Sequence, residues 1–124
     1  MAGTGHGVGR LIKAFGYSMQ GLRAGWRHEP AFRQAALLCA ALFPCTFWLG
    51  RGPLDYAVLI ASLVLVLITE LFNSAIEALT DRVGTEHHEL SGRAKDLSSA
   101  AVLLALLLLA IVWATMAWVR FAPA

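Results

Sequence analysis

The chain has 124 residues, of which 58% are hydrophobic and 15% charged, with a formal net charge of +2. A soluble domain of ordinary composition carries about 25% charged residues, so this chain reads instead as one membrane-embedded unit over residues 1–124. No long basic run or basic–aromatic alternation is present, which excludes a nucleic-acid partner.

Residues 1–9 read as a flexible lead-in. Gly3, Gly5, Gly7 and Gly9 alternate, but the spacing is not that of a phosphate-cradling loop and no strand precedes it. No cleavable signal peptide is expected, because the first long apolar run begins only after Pro30. Residues 8–28 form an amphipathic helix: Val8, Leu11, Ile12, Phe15, Met19, Leu22 and Trp26 recur at helical spacing, with Arg10, Lys13, Tyr17, Gln20 and Arg27 opposite. Basic residues facing Trp, Phe and Leu describe a helix lying in the membrane interface. It can be a plain anchor, and Arg10 and Arg23 can also grip phosphate at headgroup level.

A helix needs about 20 mostly apolar residues to cross a bilayer. Three stretches qualify, with spans expected at about 31–49, 54–81 and 93–119. Pro30 suits the first turn of span one, and Glu29 then sits at its positive end. That places Glu29 either as a capping carboxylate or as an acidic ligand level with Glu77. Pro44 should kink span one or mark an irregular turn. Cys39 and Cys45 read as packing thiols: six residues along one helix separate them by about 9 Å of rise. Phe47 and Trp48 form an aromatic belt at the far interface.

Span two carries the stretch that governs the chain, Glu70-Leu-Phe-Asn73-Ser-Ala-Ile-Glu77-Ala-Leu-Thr-Asp81. Residues three and four apart share a helix face, so Glu70, Asn73, Ser74, Glu77 and Asp81 form one polar stripe. No charged residue occurs between Tyr56 and Thr69, so Glu70 stands at membrane depth, where an acidic group marks a functional site. One carboxylate of such a pair can hold Mg²⁺ together with substrate phosphates. The other, desolvated, can serve as a general base. Asp81, at the water boundary, can simply be solvated.

Gly84 is expected to end span two. The internal loop that follows holds Glu86, His87, His88 and Glu89, which lack H-E-x-x-H spacing and read as a solvated, nucleotide-contacting loop. Ser91 is the expected N-cap of span three, with Lys95 and Asp96 in its first turn and Lys95 offering a point charge to phosphate. Leu97–Leu109 contains only Ser98 and Ser99 as polar members, and Trp113 and Trp118 mark its outer end. Eight of the ten basic residues flank the N-terminal helix and the loop between spans two and three. By the positive-inside rule the N-terminus is cytoplasmic and the C-terminus lies on the opposite, periplasmic side.

These motifs resemble the bacterial integral-membrane diacylglycerol kinases. The match runs through Arg10-x-Ile-Lys13-Ala-x-Gly-Tyr17-Ser, Gly21-Leu-Arg23-Ala, Ala31-Phe-Arg33-Gln34, the E-x-x-N-S-A-x-E-x-x-x-D pattern of Glu70 to Asp81, and His88-Glu-Leu-Ser-Gly-Arg-Ala-Lys95-Asp96. The resemblance implies an all-α membrane protein with an N-terminal amphipathic surface helix and three transmembrane helices. It also implies a homotrimer with shared active sites in the bacterial inner membrane. The implied reaction moves the ATP γ-phosphate to diacylglycerol, giving phosphatidic acid.

By the same resemblance Glu70 is the catalytic base, Glu29 and Glu77 hold the Mg²⁺ of MgATP, and Asn73 and Asp81 support the site. Arg10, Tyr17, Glu29, Glu77, Glu86, His87, His88, Lys95 and Asp96 contact ATP. The lipid lies near Arg10, Ala14, Gly16, Ser18, Arg23, Trp26, Ala31 and Arg33, with Trp48, Glu70, Ser99 and Trp113 also in contact. The family often has Tyr at the place of His87, Glu at Ala35 and Lys at Gln20. Two rivals remain: an undecaprenol kinase of the same fold, and a small proton-coupled transporter using Glu70. The acidic groups gather at one membrane face and the internal loop is charged, which favours the kinase.

Overall fold

The computed structural model describes residues 7–84 and 88–123, and within them four helices follow in order. They are α1 (Gly7–His28), α2 (Pro30–Leu49), α3 (Pro53–Val83) and α4 (Glu89–Phe121). Pro30 and Pro53 stand in the first turns of α2 and α3, where a missing N–H costs nothing and the fixed φ favours a helix. Helices α2, α3 and α4 are each long and apolar enough to cross a membrane.

Helix α4 begins earlier than the sequence suggests. Ser91 was the expected N-cap, yet it lies inside the helix and His88 takes the cap position. The His88 backbone is extended, and its Nδ1 accepts from the Leu90 N–H at 3.0 Å. An imidazole nitrogen two residues upstream of a free N–H does the work expected of a serine oxygen, so Lys95 and Asp96 fall in the second turn. Helix α2 runs on through Pro44 to Leu49.

Helix α3 is the centre of the packing, with α4 along one side and α2 along another. Ala35 and Cys39 of α2, Leu63 and Val66 of α3, and Ala105 and Leu109 of α4 form the buried core. The Cys39 thiol points at the Leu63 carbonyl (3.5 Å), and both cysteines are free, which agrees with the packing role read from their spacing. Large apolar side chains of α4, among them Leu103, Leu104, Leu107 and Ile111, stay exposed. An all-round apolar helix with so little internal burial belongs in lipid or against another chain.

Helix α1 packs on α2, and Gly25 is its buried residue. A Cβ on Gly25 would lie 2.9 Å from Cδ2 of the buried Phe32 ring, whereas one on Gly21 would meet nothing within 4 Å. Gly25→Ala is therefore expected to cost about 1–3 kcal/mol through overpacking. Gly21→Ala should be neutral or stabilising, since alanine favours a helix over glycine by about 1 kcal/mol. Thermal inactivation of the two variants in micelles would show the difference. At the opposite end of the bundle, Trp48 meets Phe121 at 5.2 Å and Arg120 Nε donates to the Trp48 carbonyl at 3.5 Å.

Candidate active site on the third and fourth helices

The polar stripe forms as its spacing predicts, and its members differ in environment. Glu70 is 8% exposed, Asn73 and Ser74 are half-buried, and Glu77 and Asp81 are exposed. The stripe therefore runs from a buried residue to exposed ones along one helix. Glu70 and Glu77 are two turns apart, about 10.5 Å of rise. Among the described residues, the Glu70 carboxylate has no hydrogen-bond partner.

Helix α4 supplies the second side of the site. Lys95 Nζ donates to Asp81 Oδ1 at 2.7 Å. One turn deeper, Ser98 Oγ lies 2.7 Å from Asn73 Oδ1, and Asn73 Nδ2 donates to Glu77 Oε1 at 3.1 Å. These contacts draw Asn73, Glu77, Asp81 and Lys95 together across α3 and α4. Ser98 is the member that sequence reading missed, because in a Leu-rich span it passes as an isolated polar residue.

Glu29 approaches from the α1–α2 junction. It is the N-cap residue of α2, with extended backbone, but its side chain makes no capping hydrogen bond to the helix. It lines a cavity of about 770 Å³ between α1 and α3, together with Ser18, Gly21, Leu22 and His28. The α3 wall of this cavity is Ile68, Leu71, Phe72, Ala75 and Ala78, with Ser74 at its edge. At 3.6 residues per turn that wall is the apolar face, and Ser74 borders both it and the polar stripe.

Other predicted residues are more scattered. Arg10, Ala14, Gly16, Tyr17, Arg23 and Trp26 are exposed along α1, and Ala31, Asp96 and Ser99 are exposed on α2 and α4. Arg10 precedes Glu29 by 19 positions in the sequence, about 28 Å of helix, so one chain does not bring them together. Arg33 Nη1 donates to the Trp26 carbonyl at 2.6 Å, tying α2 to the last turn of α1. Trp113 Nε1 donates to the buried Ser62 Oγ at 3.0 Å, and Trp48 belongs to the remote end of the bundle. Glu86 and His87 lie outside the described residues.

No group of three or more His, Cys, Asp or Glu side chains able to hold a metal forms among the described residues. The donor chemistry nevertheless suits Mg²⁺, which takes oxygen ligands and is commonly held by one or two carboxylates plus substrate phosphates. Glu77 keeps one oxygen on Asn73 and has its other oxygen uncommitted, and the Glu29 carboxylate is uncapped.

The sequence profile of the family "Prokaryotic diacylglycerol kinase" matches residues 16–117. The chain belongs to that family. It is 50% identical to the diacylglycerol kinase of Escherichia coli (strain K12) over 123 residues, which cover 98% of this chain and 99% of the relative. The diacylglycerol kinase of Haemophilus influenzae is 48% identical over 107 residues, covering 86% of this chain and 91% of the relative. That of Helicobacter pylori (strain 26695) is 39% identical over 107 residues, covering 86% and 84%. As a prokaryotic diacylglycerol kinase the chain is a lipid kinase, and its three apolar helices make it a bacterial membrane protein.

Proposed function

We propose that the chain transfers the γ-phosphate of ATP to the hydroxyl of diacylglycerol at the cytoplasmic face of the inner membrane, with Glu70 as general base. The observation that carries this reading is Glu70 on α3, a residue only 8% exposed whose carboxylate has no hydrogen-bond partner among the described residues yet is not sealed from outside. A carboxylate held without a partner at membrane depth is ready to take a proton from an alcohol that reaches it. Phosphoryl transfer asks little covalent chemistry of a protein beyond positioning and charge stabilisation.

The division of labour follows the depth of each residue. Glu70 receives the hydroxyl proton at the inner end of the stripe. Lys95, held by Asp81, presents a cation to the phosphates at the water-facing end. Glu77 and Glu29 would hold Mg²⁺, which would supply charge neutralisation to the phosphates. Tyr17, Glu86, His87, His88 and Asp96 complete the nucleotide contacts in this reading. The acyl chains lie along α1, a placement supported by the largely apolar cavity lined by α1 and α3 residues and by Glu29. Exposed Val8, Leu11, Ile12 and Phe15 support α1 as an amphipathic surface helix. The separation of Arg10 from Glu29 supports a homotrimer in which another copy completes each site.

The test is phosphate transfer from radiolabelled ATP by purified protein in mixed micelles with Mg²⁺, offering diacylglycerol and undecaprenol separately. Labelled phosphatidic acid, lost on chelation of Mg²⁺, is the expected result. Label confined to undecaprenol would keep the mechanism and change the acceptor. No label on either lipid, in folded protein, would sink the kinase reading for this site.

A further inference from the structure

We infer that Ser98 is a positioning residue for Glu77, acting through Asn73. The inference rests on the reading of Glu77 as a ligand of the cation that accompanies ATP. Ser98 Oγ stands 2.7 Å from Asn73 Oδ1, and Asn73 Nδ2 stands 3.1 Å from Glu77 Oε1. The three side chains form a hydroxyl–amide–carboxylate chain that crosses from α4 to α3.

Donor and acceptor chemistry fixes the direction of this chain. An ionised carboxylate only accepts, so the edge of the Asn73 amide that faces Glu77 is its NH₂. The edge that faces Ser98 is then the carbonyl, and Ser98 must donate to it. Ser98 has one proton and two acceptors in reach, the Asn73 Oδ1 at 2.7 Å and the Lys95 carbonyl at 3.0 Å. The shorter contact goes to the amide, and the hydroxyl is half-buried between the helices.

Without that hydroxyl the amide is no longer held in the orientation that serves Glu77. It can turn about its terminal torsion, which is soft and broad, and swing its NH₂ out of line with the carboxylate. With the hydroxyl in place, Glu77 Oε1 is held by an N–H, and its other oxygen makes no hydrogen bond among the described residues. Groups that orient a ligand carboxylate typically govern metal affinity by about 10-fold to 100-fold. Ser98 acts one link further out, so its loss should weaken cation binding by about threefold to tenfold.

The experiment measures Mn²⁺ binding by electron paramagnetic resonance in micelles with a non-hydrolysable ATP analogue. The half-saturating Mg²⁺ of the lipid kinase reaction is measured alongside. Ser98→Ala should weaken Mn²⁺ binding and raise the Mg²⁺ requirement to the stated extent, with the KM for diacylglycerol unchanged. Ser98→Thr, which keeps the hydroxyl, should restore both. In an Asn73→Ala background, Ser98→Ala should have no further effect. Glu77→Gln serves as the reference. If Glu77→Gln leaves Mn²⁺ binding intact, the assignment of Glu77 fails and this inference with it. If Glu77→Gln weakens binding and Ser98→Ala does not, only the role of Ser98 fails. Equal loss in Ser98→Ala and Ser98→Thr, or a further loss in the Asn73→Ala background, overturns it as well. Ser98→Gly provides a second hydroxyl-free variant should the alanine form not fold.

Discussion

Glu70→Gln is expected to lower the rate of phosphoryl transfer by about 10²–10⁴-fold, the usual contribution of a positioned general base, while the protein stays folded. The substitution keeps the shape of the side chain and removes its basicity. Glu70 is 8% exposed and forms no side-chain hydrogen bond among the described residues, so the fold loses no contact with it. A buried neutral amide is also cheaper to desolvate than a buried carboxylate. Thermal inactivation should therefore be unchanged or improved, and the KM for ATP little altered, since nucleotide contacts are assigned to other residues. A variant with near-normal turnover would remove Glu70 from the base role.

Lys95→Met should raise the KM for ATP by about tenfold to a hundredfold, the effect of losing one hydrogen bond between charged partners. Stability should barely move. The Lys95–Asp81 pair is 2.7 Å long, but its side chains remain 43% and 62% exposed, and exposed ion pairs contribute little to folding. Asp81→Asn separates the two roles of Lys95: it removes the charge of the tether and leaves the ammonium in place for phosphate. Its KM for ATP should rise much less than that of Lys95→Met. Equal effects from both changes would make Lys95 a structural partner of Asp81 instead of a phosphate ligand. Steady-state kinetics at saturating lipid, beside melting curves, would decide.

The polar stripe was legible because a helix repeats every 3.6 residues, and Glu70, Asn73, Glu77 and Asp81 keep that period within one apolar stretch. The three apolar helices and the break at Gly84 were legible for similar local reasons. Contacts between helices were not. Ser98 meets Asn73 only because α4 lies beside α3 in one register, and no pattern within either helix encodes that register. The same holds for Trp113, whose indole N–H finds Ser62 across 51 positions of sequence. The start of α4 was misplaced for a different reason. Serine is the more frequent cap, and His88 could be recognised only once its backbone and the Leu90 N–H were seen together.

Glu29 is the single residue between α1 and α2, and its backbone is bonded into both. Its N–H donates to the Gly25 carbonyl at 3.0 Å, and its carbonyl accepts from the Arg33 N–H at 3.0 Å. Helix α1 has 22 residues, so it is a lever about 33 Å long whose fulcrum is this carboxylate-bearing residue, and a 10° tilt sweeps its far end through about 6 Å. The close seat of Gly25 on the Phe32 ring leaves the fulcrum little slack. A reorientation of α1 against α2 therefore turns the Glu29 backbone with it.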